Sequence, residues 1–244
     1  MTKGQVAVAM SGGLDSSAAA AILKEDGYQV MGITMQLFGG SQSAEKAYRV
    51  AQKLGIAHHV VDLGQLFSGK VIDYFCGEYR RGRTPNPCIT CNRYIKFDAL
   101  LNKALELGAD WMATGHHARV EPSPDGYRLL RGIDSKKDQS YFLYHLGQGQ
   151  LRRLMLPIGH LRKADVRKVA AALGLMPAAS RESQDICFIP DGDYRTFIAG
   201  RVALSPGDIV DTRGEVLGRH RGLAYYTVGQ RQGLGLSSDK RLYV

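Results

Sequence analysis

What this sequence lacks excludes several classes of protein. No stretch approaches the ~20 consecutive apolar residues of a membrane-spanning helix, and Met1 to Gln5 carries no apolar core of the kind a signal peptide needs. A cytoplasmic protein with no membrane partner is therefore expected. Cysteine is scarce: Cys76, Cys88, Cys91 and Cys187 are the only four. In a reducing compartment so few thiols are expected to be metal ligands, reactive groups or buried fillers rather than a disulfide framework. Acidic residues are outnumbered, 23 against 32 Lys and Arg, and the net charge of +9 points to a polyanionic partner or to a generally basic surface. Internal repeats and low-complexity tracts are absent, and with 44% hydrophobic residues the whole chain should fold.

At 244 residues the chain exceeds one average domain. Apolar runs at Val6 to Met10, Val30 to Leu37, His58 to Leu63 and Trp111 to Thr114 read as strands. Between and after them, Ser16 to Lys24, Ala44 to Leu54, Phe67 to Tyr79, Ile95 to Leu107 and Ala164 to Leu173 read as helices, the last closed by Gly174. This alternation predicts an α/β fold with a doubly wound, mostly parallel sheet. From Tyr194 the turns Pro206-Gly207-Asp208, Thr212-Arg213-Gly214 and Gly233-Leu234-Gly235 punctuate short strands such as Ile209 to Asp211 and Ala224 to Val228. The expected division is residues 1–193 for the α/β domain and 194–244 for a second, small β-rich domain.

Between the first strand and first helix lies Ala9-Met10-Ser11-Gly12-Gly13-Leu14-Asp15-Ser16-Ser17. Unpaired backbone N–H groups and the positive end of a helix dipole meet at such a junction, so an anion belongs there. Gly12 and Gly13 let phosphate oxygens approach the backbone, and the serines add hydroxyl donors. Asp15 would repel a phosphate unless a cation lies between them, which makes it a candidate magnesium ligand; the plain alternative is a helix-start residue after a glycine turn. The loop contains no lysine and its glycines are adjacent, so it is neither the P-loop nor the dinucleotide fingerprint. It resembles the loop of the adenine-nucleotide α-hydrolases, which split ATP between the α- and β-phosphates.

Thr84-Pro85-Asn86-Pro87-Cys88-Ile89-Thr90-Cys91-Asn92 is a rigid loop running into a helix, and Cys91 near the helix start would gain thiolate character. Arg80, Arg81 and Arg83 upstream would add to that or form a solvated basic turn. Cys187 stands in Ser183-Gln184-Asp185-Ile186-Cys187-Phe188-Ile189-Pro190. Cys76, in a helical apolar setting, reads as a buried filler. Of the histidines after Thr114-Gly115, His116 is favoured as a site residue and His117 as a loop residue. Arg162, Lys163, Arg167 and Lys168 read mainly as a solvated helix face that could also meet nucleic-acid phosphates, and Tyr225 and Tyr226 as cross-strand packing residues that could instead stack on bases.

Taken in order, Ser11 to Ser16, Arg83 to Pro87, Cys91 to Phe97, Ala113 to His117, Lys137-Asp138-Gln139-Ser140-Tyr141-Phe142-Leu143, Ile186 to Ile189 and Tyr226 to Gly235 resemble the bacterial tRNA-specific 2-thiouridylases over essentially the whole chain. The resemblance implies a tRNA-uridine 2-sulfurtransferase that adenylates the wobble uridine with ATP and Mg2+ and then places sulfur at C2. It implies that Ala9, Met10, Ser11, Gly12, Gly13, Leu14, Asp15 and Ser16 hold ATP phosphates, and that Met35 and Gly115 border the adenosine. Asn86, Pro87, Cys88, Lys137, Asp138 and Gln139 would contact tRNA. Cys187 would carry the transferable sulfur with Cys91 assisting, supplied by a sulfur-donor protein such as a cysteine desulfurase or a relay protein.

Two departures from the pattern matter. Cys88 stands where persulfide-using members often have aspartate, so that Cys88, Cys91 and Cys187 are also a candidate ligand set for a 4Fe–4S cluster with one open iron. The family's further C-terminal β-barrel is not expected within a sequence that ends at Val244. Two other readings stay open: an adenylating ligase acting on a small molecule, which leaves the cysteines unexplained, and a nonenzymatic RNA-binding protein with a structural metal.

Overall fold

The structure is a computed structural model and describes residues 3–37, 42–174, 186–189, 192–238 and 240–244. The first half runs β1 (Gln5–Ala9), α1 (Leu14–Glu25), β2 (Gln29–Gln36), α2 (Gln42–Leu54), β3 (Ala57–Asp62), α3 (Gly64–Phe67), a π-helical turn Ser68–Ile72 and α4 (Asp73–Arg80). Next come α5 (Pro87–Cys91), a π-helical stretch Asn92–Leu100, α6 (Leu101–Glu106), β4 (Trp111–Ala113) and the hairpin β5 (Ala118–Ser123) and β6 (Gly126–Arg131). The remainder is α7 (Gln148–Leu151), β7 (Leu154–Met155), α8 (Lys163–Ala172), α9 (Tyr194–Ala199), β8 (Gly207–Val210) and β9 (Val216–His220).

The chain divides into two compact units, one of Met1–Phe67 with Ile89–Glu182 and one of Ser68–Cys88 with Ser183–Val244. In the first, β3-β2-β1-β4-β7 form a sheet whose neighbouring strands all pair parallel. β1 lies at its centre, and Val6, Ala7 and Val8 are wholly buried, as a strand covered on both faces requires. One face is covered by α1, whose Ala18 to Ala21 are buried with Val166 and Ala170 of α8 and Ile158. The small alanines favour the helix and let α8 approach it closely. Phe97, Leu100, Leu101, Ala104 and Leu143 cover the other face. The chain winds outward from β1 through β2 to β3 and then returns to place β4 on the opposite side of β1, so the switch point lies between β1 and β4.

The sheet and its helices agree with the sequence reading; several details do not. The helix expected from Ile95 already begins at Pro87, because a proline at the first helical position loses no hydrogen bond. Cys91 is therefore a turn inside the helix, and Cys88 is the thiol at its start. Ala224 to Val228 forms no strand: Leu223–Tyr225 is a 3-10 turn after Gly222 at φ 143°, and Val228 is 81% exposed. β-Branched and aromatic residues favour a strand only where a partner and a half-buried face exist. Within the second unit, β8 and β9 pair antiparallel. Ser183, Gln184, Asp185 and Pro190 lie outside the described residues.

Candidate active site

At the carboxyl end of β1, Ala9 ends the strand, Met10 is buried, and the backbone turns sharply into α1. Gly12 has φ 72°, and a Cβ there would collide with Lys46 Cβ and come within 2.8 Å of the Ala47 nitrogen, so α2 packs directly on the loop. The serines organise it. Ser16 Oγ accepts the Ser11 N–H at 3.2 Å and donates to the Gly13 carbonyl at 3.1 Å, and Ser17 Oγ donates to that same carbonyl at 2.8 Å. The loop thus holds its shape while the open face of the α1 N-terminus can receive an anion.

The carboxyl end of β4 closes on this loop. Gly115 lies so near that a Cβ would be 2.7 Å from the Asp15 carbonyl carbon and 2.7 Å from the Ser16 nitrogen. Its immediate neighbour is therefore the α1 N-terminus. Met35 sits near the end of β2 at the same sheet edge, half-buried against the second core layer. His116 is buried, with Nδ1 2.7 Å from Thr114 Oγ1. Desolvation, aided by the charge of Lys96, drives its imidazole well below the ordinary 6.5, so the ring is neutral near pH 7.

Asp15 is the electrostatic centre. Lys163 Nζ lies 2.7 and 2.6 Å from its two oxygens, and His117 Nε2 lies 3.4 Å from Oδ1. Burial acts to raise the Asp15 carboxyl; the bonds from His117 and Lys163, with the charges behind them, overcome it and hold the group below its ordinary 3.8. His117 is fixed in turn, its backbone N–H donating to Gln139 Oε1 at 2.9 Å and its carbonyl accepting the Gln139 N–H at 2.9 Å. Asp138 Oδ1 accepts the Gly132 N–H at 2.9 Å, and Asp134 Oδ2 accepts the Lys163 N–H at 3.0 Å. The Lys137-Asp138-Gln139 segment thus belongs to the same corner as the serine–glycine loop, with Lys137 N–H on the Asp134 carbonyl at 3.0 Å.

Sequence reasoning missed Lys163 and His117. Lys163 read as a solvated face, yet its side chain is only 12% exposed and is ion-paired to Asp15; His117, not His116, is the histidine that reaches Asp15. The signal available in sequence was weak: a lysine at the first position of a helix looks exposed until the helix is packed against α1.

All four cysteines are thiols. Cys88 is exposed, its N–H donating to Asn86 Oδ1 at 3.1 Å just before Pro87 and α5; Cys91 is buried. Burial pushes the Cys76 thiol up, consistent with a filler. Of the upstream arginines, Arg81 and Arg83 pair with Glu78 at 2.8 and 3.5 Å. Cys187 is exposed on a turn whose next residue, Phe188, is buried edge-on against Phe75 (centroids 5.4 Å) and beside Phe197 (5.4 Å). Among the described residues no group of three or more His, Cys, Asp or Glu is arranged to hold a metal ion. No helix among them is long and apolar enough to cross a membrane.

The doubly wound sheet with an anion-binding loop at its switch point defines an α/β nucleotide-site protein. A family profile described as "tRNA methyl transferase HUP domain" matches residues 4–191, and one described as "tRNA methyl transferase PRC-barrel domain" matches residues 195–244. The tRNA-specific 2-thiouridylase MnmA of Carboxydothermus hydrogenoformans is 54% identical, the match covering 98% of this chain and 71% of that protein. Its namesake from Pelotomaculum thermopropionicum is 51% identical over 100% of this chain and 72% of that protein. This chain belongs to the tRNA-specific 2-thiouridylase family. The U34-tRNA thiolase NcsA from Methanococcus maripaludis, a structure with its 4Fe–4S cluster, shares the fold, with TM-score 0.50 and 18% identity over 82% of this chain and 65% of that one.

Proposed function

We propose that this chain is a tRNA-uridine 2-sulfurtransferase of the cytoplasm that activates the wobble uridine with ATP and exchanges its O2 for sulfur. The observation that carries the reading is the serine-braced loop at the β1–β4 switch point in a chain of this family. The uridine O2 attacks the α-phosphorus and pyrophosphate leaves; the outer persulfide sulfur then attacks C2 and AMP leaves with the original oxygen, after which the assisting thiolate attacks the carrier sulfur, breaking its bond to the product sulfur and leaving a protein disulfide that an external thiol reduces before the next turnover. Ala9 to Ser16 hold the phosphates, while Met35 and Gly115 lie at the sheet edge where the adenosine would sit. A magnesium ion held through one carboxylate and the nucleotide phosphates suits the single Asp15 and would offset phosphate charge. Asn86, Pro87, Cys88, Lys137, Asp138 and Gln139 are the proposed tRNA contacts.

For the sulfur, Cys187 is exposed on an anchored turn, accessible to a sulfur-donor protein, and is the proposed persulfide carrier with Cys91 as the assisting thiol. Cys88, Cys91 and Cys187 are the alternative thiolate set, which would hold a 4Fe–4S cluster with one iron open to an external sulfide. The test combines two readouts: tRNA-dependent pyrophosphate release, and 2-thiouridine quantified by mass spectrometry after nuclease digestion. Cys187→Ser should retain the first and lose the second, and Cys88→Ala should be mild in both. Normal 2-thiouridine in Cys187→Ser removes the carrier. A severe loss in Cys88→Ala, with stoichiometric iron and acid-labile sulfide in anaerobically purified protein, replaces the persulfide by a cluster. Pyrophosphate release that needs a small acceptor instead of tRNA makes the chain a small-molecule ligase.

A further inference from the structure

We propose that Lys163 is the phosphate-binding lysine that the loop itself lacks: its ammonium, held on Asp15, contacts the β- and γ-phosphates when ATP is bound. The inference rests on the nucleotide reading of the loop and assigns a residue within it. A loop that receives a triphosphate needs positive charge beyond its backbone N–H groups, and Ser11 to Ser17 supplies only a negative one, Asp15. A cation reaches it from 148 positions along the chain.

Three observations separate this ammonium from an ordinary surface charge. Lys163 Nζ touches both Asp15 oxygens, at 2.7 and 2.6 Å, within the first turn of α1 where the anion-binding N–H groups lie. Its side chain is only 12% exposed, although a lysine gains little from a half-desolvated pair that serves stability alone. Its position is fixed at both ends: Asp134 Oδ2 holds the Lys163 N–H at 3.0 Å, and Val166 and Ala170 pack α8 against the alanines of α1. Beside the pair, the His117 Nδ1 is buried without a hydrogen-bond partner in a side chain 4% exposed, a second polar group kept at the same corner. A carboxylate that parks a flexible ammonium beside a helix N-terminus keeps it within reach of an incoming phosphate, and the three donors of Lys can pass from one anion to another.

The test measures equilibrium binding of ATP and of AMP to the full chain by calorimetry in EDTA, so that no metal contributes. Lys163→Met should weaken ATP roughly ten- to hundredfold, the scale of a charge-assisted hydrogen bond lost, and leave AMP unchanged; Lys163→Arg should recover most of the loss. Because Lys163→Met leaves a half-buried carboxylate with His117 as its remaining partner, Asp15→Asn/Lys163→Met is compared with Asp15→Asn, and the same selective ATP loss is expected. Equal ATP-to-AMP ratios with and without Lys163 in both backgrounds would overturn the assignment while the nucleotide site stands. Failure of the unaltered chain to bind either nucleotide would remove the nucleotide reading, and Lys163's role with it.

Discussion

Gly115→Ala is a severe test of how the site is built. The added Cβ would stand 2.7 Å from the Asp15 carbonyl carbon, 2.7 Å from the Ser16 nitrogen and 2.9 Å from Asp15 Cβ. Ordinary carbon contacts need 3.5–4.0 Å, so roughly 1 Å of relief must be found. Two of the three atoms are backbone, and neither strand nor helix can give easily: Ala113 is wholly buried in β4, and Ala18 to Ala20 are wholly buried in α1. The shift falls on the turn between them. Overpacking of this kind costs about 1–3 kcal/mol, which lowers the melting temperature by roughly 2–12 °C in a chain of this size. The displaced Asp15 also leaves Lys163 and His117, so ATP affinity should fall further than stability does. Gly13→Ala is the control, because Gly13 has φ −84° and its Cβ would meet only the rotatable Ser11 Oγ at 3.3 Å. Thermal melts with urea titrations, and calorimetry with ATP, read both effects. A Gly115→Ala protein that melts and binds like the unaltered chain, or a Gly13→Ala protein destabilised as much, would refute the packing argument.

Acidification should weaken the fold through its buried histidines. Burial lowers the His116, His58 and His145 imidazoles below 6.5; the unfolded chain then binds more protons, so their contribution is complete above pH 6.5 and is lost as pH falls toward the folded values. The urea midpoint should drop between pH 7 and pH 5, and drop less in His116→Gln; a flat profile contradicts the buried neutral imidazole. The Asp15 contribution, with the carboxyl held below 3.8, should persist down to about pH 4 and be lost only below it. Phe188→Ala should cost about 3–5 kcal/mol by emptying the space between Phe75 and Phe197. With Cys187 no longer anchored, 2-thiouridine formation should fall while tRNA-dependent pyrophosphate release continues; equal losses in both would show that the aromatic cluster does not serve the thiol.

The α/β architecture was legible because hydrophobic periodicity is local: Val6 to Met10 and Val30 to Leu37 can only be buried strands, and the alanine run after Asp15 can only be a close-packing helix. β7 was not legible, since two residues, Leu154 and Met155, carry no period and become a strand only because β4 offers an edge. Cys91 was placed at a helix start on the strength of the prolines before it, yet Pro87 itself opens the helix. The Ala224 to Val228 segment has strand composition, but among the described residues no strand pairs with it.

The sequence by itself determined the serine–glycine loop after β1 and its lack of a lysine, because adjacent residues build that loop and its chemistry is written in their order. Only the tertiary structure decided what surrounds Asp15. Lys163, His117 and Gly115 reach it from separate elements, and their contacts arise when α8 packs on α1 and β4 pairs with β1. Charge pairing and steric contact act through a few ångströms of space, whatever the separation along the chain.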